Sequence, residues 1–202
     1  MDTSCTFDYW KIIPIVTAWL SLIVIYANAR FGIRNKQSDM IIHFHKQFDE
    51  IQKKRCELLI AQAEMEASSS STWSLGRKDV EVEMFYDRFW SLQFDEFLAW
   101  YEGYIPTSLY IYWVFSRWRE LHEPSKGWTF NQKTLASALD DLEIRWRSNP
   151  DKTSKQSIHL TKFLTLMLAL KTNGASVDVE GLLKSVGPSY VRQWTRKVFG
   201  AY

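Results

Sequence analysis

The segment from Ile12 to Ala29, IIPIVTAWLSLIVIYANA, carries no charge and constrains this chain more than any other part of it. Wound as a helix at about 1.5 Å per residue, it reaches roughly 27 Å, close to the roughly 30 Å hydrocarbon core of a bilayer. Pro14, Thr17, Ser21 and Asn28 are its exceptions, set among apolar residues such as Trp19 and Ile25. Pro14 falls in the first turn, where a helix tolerates a missing N–H. Tyr9, Trp10, Tyr26 and Phe31 lie near the two ends, where aromatic rings favour the headgroup layer. The sequence predicts a transmembrane helix.

Charge asymmetry orients it. Asp2, Asp8 and Lys11 precede the span, whereas Arg30, Arg34 and Lys36 follow it. Basic residues stay on the cytoplasmic side, so the short N-terminus is expected outside and the rest of the chain inside. Two rival readings remain open. Ala27-Asn28-Ala29 resembles a signal-peptide cleavage site, but the segment before the run is acidic and the cut would be followed at once by basic residues. A buried soluble helix would leave the basic flank and aromatic ends unexplained. On the preferred topology a membrane separates Cys5 from Cys56, which excludes a disulfide within one chain.

The remaining residues suffice for one compact domain, and ten tryptophans supply ample core material. A net charge of +2 gives no whole-protein field favouring nucleic acid, so sequence-specific nucleic-acid binding is not expected. Ser38-Asp39 reads as the cap of a helix reaching about Ala67. Along it Ile41, Phe44, Phe48, Ile51, Leu58 and Met65 form a seam, interrupted by Arg55 and Gln62. That seam packs either on its own domain or on a second copy as a parallel stalk. Ser68 to Ser71 and Gly76 mark a polar break.

Beyond the break, apolar residues recur at helical spacing. The aromatic stretch from Val82 ends at Gly103–Pro106, and Leu109 to Leu121 forms a second helix packed back on it. Phe130–Arg147 and Ile158–Lys171 follow, the latter closed by Asn173-Gly174 and placed at the core centre. Ser176 or Asp178 caps a short helix, and Pro188 opens a final one. The fold class is all-α: an anchor over residues 1–34, a long amphipathic helix or stalk over 35–67, and an aromatic-rich cytoplasmic helical domain over 68–202.

Catalytic signatures are scarce. His43 and His45 point about 200° apart on a helix and cannot share a metal ion. His122-Glu123 lacks a nucleophile, and His159 stands alone. Asp87, Asp95, Glu96 and Glu102 form an acidic group in an aromatic setting. Asp95 and Glu102 share one helix face with Arg88 and Ser91, which reads as a solvated stripe with acid–base or Mg²⁺ chemistry as the rival. At the C-terminus Arg192, Arg196 and Lys197 interleave with Tyr190, Trp194 and Phe199. That pattern suits either a domain-closing helix or one lying on an anionic leaflet. No cofactor, metal site or enzymatic activity is expected.

Phe89-Trp90-Ser91-Leu92-Gln93, followed by Trp100, Gly103, Ile105-Pro106, Trp113 and Arg117, resembles the core of a family of small bacterial membrane-anchored helical proteins. The likeness spans residues 10–120 in layout and 85–118 in motif, with one clear span where some similar proteins have two. It assigns no catalytic residue. Some similar proteins are abortive-infection effectors, including those carried beside retron reverse transcriptases. The resemblance therefore implies an inner-membrane effector, held quiet by a cytoplasmic protein or ribonucleoprotein partner and disrupting the bilayer when released. One span cannot enclose a pore, so this mechanism needs homo-oligomers joined through Thr17, Ser21 and Asn28. A membrane-tethered scaffold or sensor is the alternative, and a tethered hydrolase using the acidic stripe is the third. Trp90, Gln93, Trp100, Trp113 and Arg117 are the candidate partner surface or core.

Overall fold

A computed structural model describes residues 13–67, 77–123, 128–148, 153–174 and 177–188. Ile12, Cys5, the polar break at 68–76, the turn at 124–127 and the basic aromatic segment after Pro188 lie outside the described residues. Six helices follow one another: α1 (Ile13–Ala67), α2 (Arg77–Glu102), α3 (Thr107–His122), α4 (Leu135–Arg147), α5 (Lys155–Thr172) and α6 (Val179–Val186). No strand occurs among the described residues, so the all-α expectation holds.

The 55-residue helix α1 is continuous, about 80 Å long at 1.5 Å per residue. Ser38-Asp39, expected to open a new helix, lies inside it instead. Between Arg30 and Met40 no proline interrupts the chain, and a single interior glycine such as Gly32 costs only about 1 kcal/mol. A capping residue permits a helix start without enforcing one.

Along α1 the environment changes abruptly. Trp19, Leu20 and Ile25 are 58–65% exposed, and no part of the apolar window is buried inside the protein. Then Gln37, Phe44, Ile51 and Leu58 are buried at intervals of seven. The expected seam thus packs on its own domain. Phe44 meets the Trp113 ring edge-on at 6.2 Å between centroids.

The α2–α3 corner follows from Gly103. Its φ of 91° suits a residue without Cβ. Gly103 N–H donates to the Trp100 carbonyl at 3.0 Å and Tyr104 N–H to the Ala99 carbonyl at 2.8 Å, the paired bonds of a Schellman ending. Trp100 stacks on Tyr110 across the corner, 4.9 Å between centroids and 13° from parallel. The indole N–H of Trp100 donates to Thr107 Oγ1 at 3.3 Å.

Helix α4 starts later than the apolar spacing predicts. From Trp128 to Thr134 the chain makes a tight turn, with Phe130 and Lys133 bridged and Asn131 and Gln132 at φ 44° and 67°. The Tyr86 hydroxyl lies 2.8 Å from the carbonyl oxygens of both Trp128 and Lys133 and holds that turn in place. Thr134 and Ser137 then form a reciprocal capping box for α4. Helix α5 begins earlier than expected, at a Ser154 cap, and buries Phe163, Leu164, Leu166, Met167 and Leu170 at the centre of the domain. It closes at Asn173 in an extended conformation rather than through a left-handed glycine. Asp178 caps α6 by accepting the Gly181 N–H at 2.9 Å.

Candidate functional site

Two regions carry the residues singled out by sequence, and they lie on different parts of the molecule. The first is the bare end of α1. Thr17, Trp19, Ser21, Ile25 and Asn28 are all exposed there, as are Arg30, Arg34 and Lys36 just beyond. Pro14 lies within the helix backbone. Ser21 Oγ donates to the Thr17 carbonyl at 2.8 Å, a back-bond that satisfies the hydroxyl within its own helix. Asn28 has no such local hydrogen bond.

The second region is the interior between α1, α2 and α3. Trp90, Gln93, Trp100 and Arg117 are 2–6% exposed, so these four serve the core. Trp113 is half-buried at the α1–α3 contact. Phe89 stands against Trp90 and Trp128, with centroids 5.2 and 5.1 Å apart. The Arg117 guanidinium lies between the Phe89 and Phe48 rings, its Cζ 5.1 and 5.2 Å from their centroids. One Nη of Arg117 pairs with Glu120, one turn along α3.

Polar groups in this interior are incompletely used. Trp90 Nε1, Gln93 Nε2 and Arg117 Nε are enclosed with no hydrogen-bond acceptor. Glu96 is 4% exposed. Burial pushes that carboxyl up to about 7; Arg117 opposes the shift, while Glu120 and Asp95 add to it. Burial likewise raises Glu120 above the ordinary carboxylate range, against the pull of Arg117.

A cavity of about 370 Å³ opens here, walled by Phe44, Arg55, Glu96, Trp113, Arg117 and Glu120 among others. Arg55 reaches it from α1 with its Cζ 4.5 Å from the Trp128 ring centroid. Three arginines and two carboxylates therefore share one partly aromatic space.

The acidic stripe does not converge on it. Asp95, Arg88 and Ser91 line a separate, open groove of about 750 Å³ between α1 and α2, with Lys54 and Glu81. Burial raises the Asp95 carboxyl, and His43 opposes it. Glu102 faces Lys155 at 3.8 Å, and Asp87 pairs with Arg145 at 2.5 Å. Asp95 and Glu102, which the rival acid–base reading pairs, thus have separate surroundings. Glu96, grouped with them by sequence, is the buried member. Its signal was legible: at about 100° per residue Glu96 falls on the same face as Phe89, Gln93 and Trp100.

His43 Nε2 meets Gln47 at 3.0 Å, whereas His45 meets the Trp113 ring edge-on. The chain matches no protein-family model, and no curated protein or solved structure is significantly similar to it.

Proposed function

We propose that this chain is a single-pass membrane protein that works as a tethered interaction module, presenting a helical domain to a cytoplasmic partner. One observation carries the reading. A single unbroken helix is bare and apolar over its first third, then packs into a domain core from Gln37 onward. Exposed apolar surface on that scale is costly in water and is relieved by lipid. The basic residues Arg30, Arg34 and Lys36 fall at the transition, which supports a cytoplasmic domain. The test is a fluorescent or phosphatase reporter fused after Tyr202, together with membrane fractionation. Activity confined to the cytoplasm and retention in carbonate-washed membranes are expected. Soluble protein, or a mature chain beginning near Arg30, overturns the reading.

A second reading, a bilayer-disrupting effector of a bacterial antiphage system, draws on a specific placement. Thr17, Ser21 and Asn28 fall within about 40° of arc on α1. Gln37, Phe44 and Ile51, which face the domain, lie roughly opposite. Several copies can therefore bring their polar stripes together in lipid with the domains kept outside the contact.

A further inference from the structure

Four remote stretches of sequence meet at one end of the domain. Gln37 donates to the Gly103 carbonyl and ties α1 to the α2–α3 corner. Trp100 belongs to that corner, and a Cβ on Gly187 would meet its ring at 3.5 Å, so α6 ends there as well. Helix α5 begins beside it. Lys155 faces Glu102, and the His159 ring lies 4.7 Å from that of Tyr101. This end is the base of the domain, where α1 enters from its bare apolar part.

Gln37 stands eight residues past Ala29, about 12 Å along the helix. A headgroup layer takes up roughly 5–7 Å of that distance, which leaves the base within one Debye length, about 8 Å, of the lipid phosphates. Charge is distributed to match. Arg34, Lys36 and Lys155 are exposed at the base, against Asp39 and Glu102. Toward the far end Glu64, Glu66 and Glu83 are exposed, and Arg77 and Lys78 offset only part of that charge. Lys133, also there, is held by Glu83 and Asp141.

We propose that this base rests on an anionic bilayer surface, a second membrane contact that presupposes the span and adds a lipid class to it. The chain leaves the described fold at Pro188, next to Gly187 and therefore at the base. The 14 residues that follow carry Arg192, Arg196 and Lys197, no acidic residue, and Tyr190, Trp194, Phe199 and Tyr202. Each basic side chain strengthens attachment to anionic headgroups roughly fivefold, and aromatic rings settle at the same depth. The span keeps the segment at high effective concentration near the surface, so a weak attraction suffices. From the far end of α1, about 45 Å further on, the same segment would reach lipid only if fully extended. Of the two roles its sequence suits, domain closure or contact with a leaflet, its point of departure favours the second.

The test uses the full-length chain reconstituted in vesicles, with Cys5→Ser, Cys56→Ser and a nitrobenzoxadiazole label on Ala201→Cys. Nitroxide carried on the lipid headgroups quenches a label that lies among them. In equal parts of phosphatidylcholine and phosphatidylglycerol, quenching is expected to be about twofold or more above that in phosphatidylcholine alone. At about 1 M salt it should fall to the neutral-lipid level. Changing Arg192, Arg196 and Lys197 together to Glu should abolish the difference, and Lys155→Glu, at a 75% exposed side chain, should reduce it. Equal quenching in both lipids, or a difference that survives salt or all these charge changes, overturns the proposal. So does a blue-shifted label that headgroup nitroxide fails to quench, which would put the segment against the domain. A carbonate wash of the same vesicles tests the span separately. A retained chain with an unquenched label defeats this contact alone, whereas a chain washed off after quenching defeats the span.

Discussion

The Gln37 side-chain amide donates to the carbonyl oxygen of Gly103 at 3.3 Å, across 66 positions of sequence. Gln37 is buried just beyond the bare apolar end of α1, and Gly103 is the corner of α2 and α3. This contact fixes where the long helix enters the domain. Replacing Gln37 with Ala removes the donor and leaves a buried carbonyl, a loss of about 1–3 kcal/mol. Hydrogen exchange should then quicken around residues 34–40 and 99–104 while α5 stays protected. Uniform exchange across all helices would mean that the contact does not define a local joint.

Gly103→Ala should destabilise through the backbone. A Cβ at φ 91° is strained, at a cost of roughly 1–2 kcal/mol. Urea denaturation of the variant should show a lower midpoint with an unchanged slope. An unaltered midpoint would mean that the corner relaxes without loss.

Trp90→Ala should cost about 3–5 kcal/mol, because the indole is 2% exposed among Phe89 and Phe163. That is a large share of a domain's stability, so limited proteolysis should cut the variant readily. Trp90→Phe keeps most of the apolar volume and removes the unsatisfied indole N–H, so it should lose much less. Equal protease resistance of wild type and Trp90→Ala would show that the indole adds nothing to the core.

Stability should depend on pH through Glu96. Its carboxyl sits at about 7 in the fold against an ordinary 4.5, so the folded chain holds that proton more tightly than the unfolded chain. Stability then falls as pH rises from about 4.5 to about 7 and is level above that range. The penalty is about 3 kcal/mol at its full extent. Glu96→Gln should therefore be more stable than wild type at about pH 8 and converge with it near pH 4. A stability gap that does not change with pH would show that the carboxylate is ionised and compensated in the fold.

The span separates tether from effector. Exchanging Ile12–Ala29 for a Leu/Ala helix of equal length keeps the hydrophobic thickness and removes Thr17, Ser21 and Asn28. Membrane targeting should persist. If the chain is only tethered, dye entry and membrane potential in expressing cells should match those of wild type. Selective loss of depolarisation in the exchanged variant would favour the effector, since the groups that join helices in lipid are those removed.

Much of this fold could be read from residue spacing. The seam through Phe44, Ile51 and Leu58 is buried as its period requires, and α2, α3 and α5 follow their aromatic or apolar faces. The continuity of α1 was not legible, because Ser38-Asp39 has the chemistry of a cap but nothing nearby breaks a helix. The turn before α4 was hidden because Asn131-Gln132 lacks the glycine that usually marks two successive positive φ angles. The charged cavity was half legible. Gln93 and Arg117 stood out as polar groups within an aromatic motif, but Glu96 was grouped with its exposed neighbours. The period of α2 does put Glu96 on the face of Phe89, Gln93 and Trp100; what it does not give is the enclosure of that face, which depends on the packing of α1 and α3 on α2.

A helix without a break is also a lever. Between Phe31 and Ala67 it runs about 54 Å past the apolar segment, with the domain attached along its side. Anchored in a bilayer, a tilt of about 20° carries its far end roughly 18 Å sideways. Thinning of the lipid increases the tilt that a fixed apolar length adopts. The thickness of the membrane would thereby be converted into the heading of a domain that never enters it.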